Sequence, residues 1–227
     1  ALGHRYIVSA DVKDVVFQTD PSQWLEQHLG DKCLNVGSES LRFEDEPWGD
    51  SVLSGAFEAT VQDYMRQKTI YNAGTIAGRT TAMRDFALQV YLIAAGRRDF
   101  PDQAAANIVL SLEPFRSITR FSASEDGWAC QAGTSVAVSY ATGSRLTLME
   151  PSPLFADGLV LTNAGKPFCL VHQYDRVPEW SEVLLRRYTE NSEQRLGTKP
   201  GQIVARPEWR LKPRLSLNDA TRLPGSH

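Results

Sequence analysis

The 227-residue chain has little surplus of charge: 24 Lys and Arg against 27 Asp and Glu leave a formal net charge of −3. With no basic stripe, that balance excludes a nucleic-acid backbone as the expected partner. Long apolar runs are also absent. The stretch Phe86–Ala95 is interrupted by Gln89 and falls well short of the ~20 residues a helical span requires, so no membrane span is expected. Cysteine is scarce. Cys33, Cys130 and Cys169 are odd in number, widely spaced and set among apolar or small neighbours, which favours buried thiols in a reducing compartment over a disulfide framework or zinc cluster. Residues 1–20 show no basic start followed by an apolar run, so no secretory signal is read and a cytoplasmic location is the expectation. There is no internal repeat or low-complexity segment. At 42% hydrophobic and 22% charged residues, the composition is that of a folded globular protein rather than a disordered one.

Strand and helix signals alternate along the chain. Arg5–Ala10 (RYIVSA) reads as a strand buried on both faces that runs into the acidic DVKD of residues 11–14. Asp20-Pro21 reads as a helix start, Asp as cap and Pro at the first helical position, with the helix closing at Gly30. Cys33–Val36 is a strand candidate, Glu39–Asp50 an exposed acidic loop, and Val52–Arg66 one amphipathic helix. Ile70–Gly78 reads as a single small-residue strand that something approaches closely. Thr80 or Thr81 is expected to cap a helix ending at Gly96, and a second helix spans Pro101–Leu112 with Asp102 and Gln103 in its first turn. Short strands are expected around Phe121, Trp128–Cys130, Arg145–Met149, Leu159–Thr162 and Phe168–His172, then a helix over Pro178–Leu196 and an extended tail over 197–227. This order predicts an α/β fold with a largely parallel or mixed sheet, its ligands beyond the carboxyl ends of the strands.

Several residues there can carry chemistry, each with a plainer alternative. Asp11 and Asp14 emerge from one strand end, a natural way to hold a hard divalent cation, or form a solvated loop. His172 ends an apolar strand and is either a ligand or structural. Asn72, Ala73 and Gly74 form a binding segment or a turn, and Asp102-Gln103 belongs to a site or merely favours its helix N-terminus.

In type and order, DVKDVVFQTDP (11–21), YNAGTIAGR (71–79), PDQAAANIVL (101–110) and LVHQYDR (170–176) resemble the landmarks of GT-A nucleotide-sugar glycosyltransferases. The likeness is nearest to transferase-like proteins with a D-V-R-D-V-V-F-Q-x-D-P segment and more distant to glycogenin-like enzymes. It implies a GT-A (Rossmann-like) mixed sheet flanked by helices and a hexosyltransferase-like activity. A catalytic domain over 1–196 would bind a nucleotide-sugar donor and a glycan or other hydroxyl acceptor. By the same resemblance, Asp11 and Asp14 stand for an Asp-x-Asp pair with one extra residue between, and with His172 they would hold Mn2+ or Mg2+. Asn72, Ala73 and Gly74 match the Asn-x-Gly segment near the transferred sugar and acceptor. Asp102 would hold donor-sugar hydroxyls and Gln103 would lie near the anomeric carbon.

In that fold roughly fifty residues or more precede the metal motif, whereas ten precede Asp11 here. The nucleotide-binding part is therefore expected to be truncated. The strand ending at Asp11 is expected to be central, paired with sequence from outside the 227 residues or from a partner chain. Two other functions fit the same residues: a non-catalytic glycan- or nucleotide-sugar-binding scaffold, and a metal-dependent phosphohydrolase with Asp11 as nucleophile. The latter expects a second Asp where Lys13 stands.

Overall fold

The structure is a computed structural model that describes residues 4–98, 101–135 and 148–196. Residues 1–189 form one compact unit; of the second, 190–227, only Glu190–Leu196 are described. The proposed tail and most of the Arg145–Met149 strand candidate therefore lie outside the described residues.

In chain order the elements are β1 (Tyr6–Ala10), β2 (Val15–Phe17), α1 (Pro21–His28), β3 (Leu34–Arg42), α2 (Pro47–Ala56), α3 (Ala59–Met65), β4 (Thr69–Tyr71) and β5 (Thr75–Arg79). There follow α4 (Thr80–Ala94), α5 (Asp102–Ser111), α6 (Phe115–Ile118), β6 (Thr119–Ser122), β7 (Ala129–Gln131), α7 (Ala132–Ser135), β8 (Leu154–Ala156), β9 (Leu159–Leu161), β10 (Leu170–His172) and α8 (Pro178–Leu196). No helix among the described residues is long and apolar enough to cross a membrane.

Two mixed sheets organise these elements. The first runs β1-β5-β3-β4, with β6 parallel to β3 and the other pairs antiparallel. The second is β2-β10-β7, antiparallel then parallel, and β8-β9 form a separate hairpin. One face of the first sheet buries Leu34, Val36 and Ile76 against Met83 and Phe86 of α4 and Val109 and Leu110 of α5. On another core, Ala77 packs with Trp24 and Leu25 of α1, Trp128 and Leu170. Trp128 is fully buried and its indole N–H donates to Thr75 O at 2.8 Å, so this large side chain brings no unpaired donor into the core. The second sheet has its own core, in which Val16, Cys130 and Val171 meet Phe168, Trp180 and Leu184.

Helix α1 follows its sequence: Asp20 Oδ1 accepts from the amides of Ser22 and Gln23, and Pro21 occupies the first position. Five expectations are corrected. Strand β1 is an edge strand, paired among the described residues with β5 alone. Half-buried Tyr6, Val8 and Ala10 alternate with exposed Ile7 and Ser9, so it is not buried on both faces. Residues 39–50 are no exposed loop. β3 continues to Arg42, a 3-10 turn covers Phe43–Asp45, and α2 starts at Pro47 because Glu46 caps it through the amides of Trp48 and Gly49. Val52–Arg66 breaks into α2 and α3 at extended Phe57 and Glu58. Ile70–Gly78 is two strands separated by a turn at Asn72–Gly74. Finally, α4 has Arg79 at its cap position without a side-chain hydrogen bond, so neither threonine caps it.

Candidate metal centre and cavity

Strand register brings the predicted ligands together. Ala10 faces Thr75 across β1 and β5, which sets Asp11 beside Gly74, whose carbonyl accepts from Asp11 N at 3.3 Å. A Cβ on residue 74 would stand 2.7 Å from the Asp11 carboxyl, so a side chain there would have to push that carboxyl aside. In the second sheet His172 pairs with Val15 on one side and Gln131 on the other, so Asp14 and His172 are neighbours. Gln173 then turns the chain with φ of 57° while its N–H donates to Asp14 O at 2.8 Å. Ligand atoms of Asp11, Asp14 and His172 all lie within 4.8 Å of one another, although the sequence separates the histidine from Asp11 by more than half the chain.

The imidazole is 1% exposed and held from both sides. Gln131 gives its Nε2 to Thr75 Oγ1 at 2.8 Å, and Thr75 passes its own hydrogen to Asn72 O at 3.4 Å. Gln131 Oε1 therefore faces His172 Nδ1 at 2.8 Å and accepts its hydrogen. Nε2 meets acceptors as well, Asp11 Oδ2 at 3.0 Å and Asp14 Oδ1 at 3.7 Å. A ring bonded this way turns its Nε2 lone pair toward the carboxylates, a clash that a second proton, a protonated carboxyl or a metal relieves. Burial pushes the His172 pKa below its ordinary value despite the upward pull of Asp14 and Asp11, which disfavours the proton. Two carboxylate oxygens with a neutral imidazole nitrogen form a donor set that suits Mn2+ and, more weakly, Mg2+, so the residues fit the expected ion.

Asp11 and His172, though not Asp14, line a cavity of about 260 Å³ together with Glu39, Glu46, Trp48, Asn72, Ala73, Gly74, Asp102, Gln103, Gly133, Thr134, Gln173 and Arg176. Every predicted donor or acceptor residue is among them. The turn 72–74 is fixed by amides whose orientation has one solution. Gly74 N and Ala73 N can only donate, so Asn72 Oδ1 (2.8 Å) and Gln103 Oε1 (3.0 Å) face them, and both amide nitrogens point to Glu39 Oε1 at 2.7 Å. Gln103 is thus buried and engaged at both amide atoms, supporting the turn, whereas Asp102 is exposed and makes no hydrogen bond among the described residues.

Sequence reading missed four residues. Glu39 lay within the segment read as loop; it is 4% exposed, and desolvation lifts its pKa from 4.5 to about 7 in spite of its two donors, with Glu46 adding to the rise. The chain is bent to place it: β3 advances four residues from Ser38 to Arg42 while β4 retreats two, and Ser40 takes φ of 61°. Trp48 and Gln131 gave no local signal. Arg176 stood inside the quoted LVHQYDR but was assigned no role. A second cavity, about 330 Å³ and lined by residues including Lys68, Tyr71, Arg116 and Phe121, contains no comparable group of ligands among the described residues.

No family model, curated protein or solved structure matches this chain. Its functional reading therefore rests on the site itself.

Proposed function

We propose that the protein is a metal-dependent glycosyltransferase that moves a sugar from a nucleoside-diphosphate donor to an acceptor hydroxyl. The observation that carries this reading is the buried His172, whose Nε2 converges with Asp11 and Asp14 beside a cavity lined by carboxyl and amide side chains. Asp11, Asp14 and His172 would hold Mn2+ or Mg2+. The bound ion supplies positive charge to the diphosphate leaving group. Arg176, at the same cavity wall, adds a guanidinium suited to phosphate oxygens. Asp102 accepts from hydroxyls of the donor sugar, and the rigid turn 72–74 sets where that sugar lies. In the transfer, the bond from the anomeric carbon to the diphosphate breaks with its electron pair leaving on the phosphate. The acceptor oxygen forms the new bond, and its proton ends on the nucleoside diphosphate.

Asp14→Ala tests the reading. Titration calorimetry with Mn2+ and uridine, guanosine or cytidine diphosphate should show metal-dependent nucleotide binding in the wild type and none in the variant, with the circular dichroism of the two alike. Unchanged binding in Asp14→Ala would remove the cluster from the function.

A further inference from the structure

The cavity carries two chemically different sets of groups, and contacts and charge link residues of both. Asp11 lies against Gly74, Gly74 is bonded to Asn72, and Asn72 to Glu39. Glu39 is near enough to Glu46 for their charges to interact, and Glu46 holds the backbone of Trp48. Trp48, Glu39 and the Asp11 and His172 side chains thus line one cavity.

Trp48 is 53% exposed on the first turn of α2, and among the described residues its indole has neither a hydrogen bond nor a ring partner. Pro47 and the two bonds from Glu46 fix the backbone beneath it, so the exposed ring stands on a rigid base. Glu39 supplies an independent observation. Its Oε1 takes both amide donors, while Oε2 receives none among the described residues, and Glu39 lines the cavity. An almost wholly buried carboxyl oxygen without a hydrogen-bond partner is costly until a ligand or water supplies one. A flat aromatic face and an unmatched carboxyl oxygen lining one cavity complement a pyranose: its C–H face packs on the indole and its hydroxyls meet the carboxyl.

We propose that Trp48 and Glu39 form a subsite for a pyranose ring of the acceptor, so that the acceptor is a carbohydrate. The word acceptor rests on the transferase reading. A peptide hydroxyl acceptor would leave Glu39 Oε2 without the several hydroxyls a sugar offers.

The test is saturation-transfer NMR on the full chain, without metal or nucleotide. The probes are methyl β-glucopyranoside, methyl β-galactopyranoside, methyl α-mannopyranoside and a serine-containing peptide. At least one glycoside should bind through its C–H protons; Trp48→Ala should weaken it about tenfold or more, and Trp48→Phe should retain most of the affinity. No glycoside binding, peptide binding in its place, or equal affinity in Trp48→Ala would overturn the subsite. Mn2+ calorimetry on the same preparation separates the two ideas. Glycoside binding without metal binding defeats the transferase and leaves the sugar site standing; metal binding without glycoside binding does the reverse.

Discussion

Replacing Glu39 with Gln should make the protein more stable, and increasingly so as pH rises. In the folded chain this carboxyl is held up at about 7, against an ordinary 4.5, chiefly by burial. Below pH 4.5 both folded and unfolded chains carry the proton and nothing is lost. Between 4.5 and 7 the unfolded chain releases it while the folded chain keeps it, so stability falls, and above 7 the loss is complete. The rise corresponds to about 3 kcal/mol. Glutamine keeps an acceptor oxygen for Asn72 and Gln103, turns its amide nitrogen to the cavity, and has no proton to release. Urea unfolding of both proteins in parallel from pH 4 to 8, with chelator, isolates Glu39 because other titrations cancel in the difference. The variant's advantage should grow to about 3 kcal/mol by pH 8, or roughly 6–12 °C in melting temperature. Stability curves that stay parallel across this range would refute the burial and protonation argument.

Gly74→Ala should fold with a loss within about 1 kcal/mol, because the new methyl meets the movable carboxyl of Asp11 rather than backbone. Mn2+ affinity should nonetheless fall about tenfold or more as Asp11 is pushed from His172, and calorimetry showing full affinity would remove Asp11 from the ligand set. Asp102→Asn should lower turnover far more than nucleotide affinity in a donor-hydrolysis assay with matched binding measurements. Equal losses would mean that the residue only favours its helix N-terminus.

Much of the chain was legible where local chemistry decided the outcome. Asp20-Pro21 set α1, the apolar period of α4 placed Met83 and Phe86 inward, and the strand endings at Asp11 and His172 marked the cluster. The errors share a physical cause, which is that tertiary contacts overrode the local pattern. Glu39 belongs to an acidic run that reads as solvated, yet it is tolerated inside because two amides from distant parts of the chain converge on it. Ile70–Gly78 looks like one strand until Asn72 is seen to fold its side chain back onto Gly74. Gln131 fixes the histidine ring only through a parallel pairing of β7 with β10, and no spacing in the sequence announces that register.

The four residues from Asp11 to Asp14 cross from the first sheet to the second, and His172 belongs to the second. An ion held there would work as a clasp across a seam. β1 has a single neighbour among the described residues, so in the ion's absence it can peel from β5 and carry Asp11 away, while Asp14 and His172 stay joined through Gln173. Cation occupancy would then add a link between two layers already joined through Ala77, Trp128 and Leu170, and solvent exchange at the backbone amides of β1 would report whether that fastener is shut.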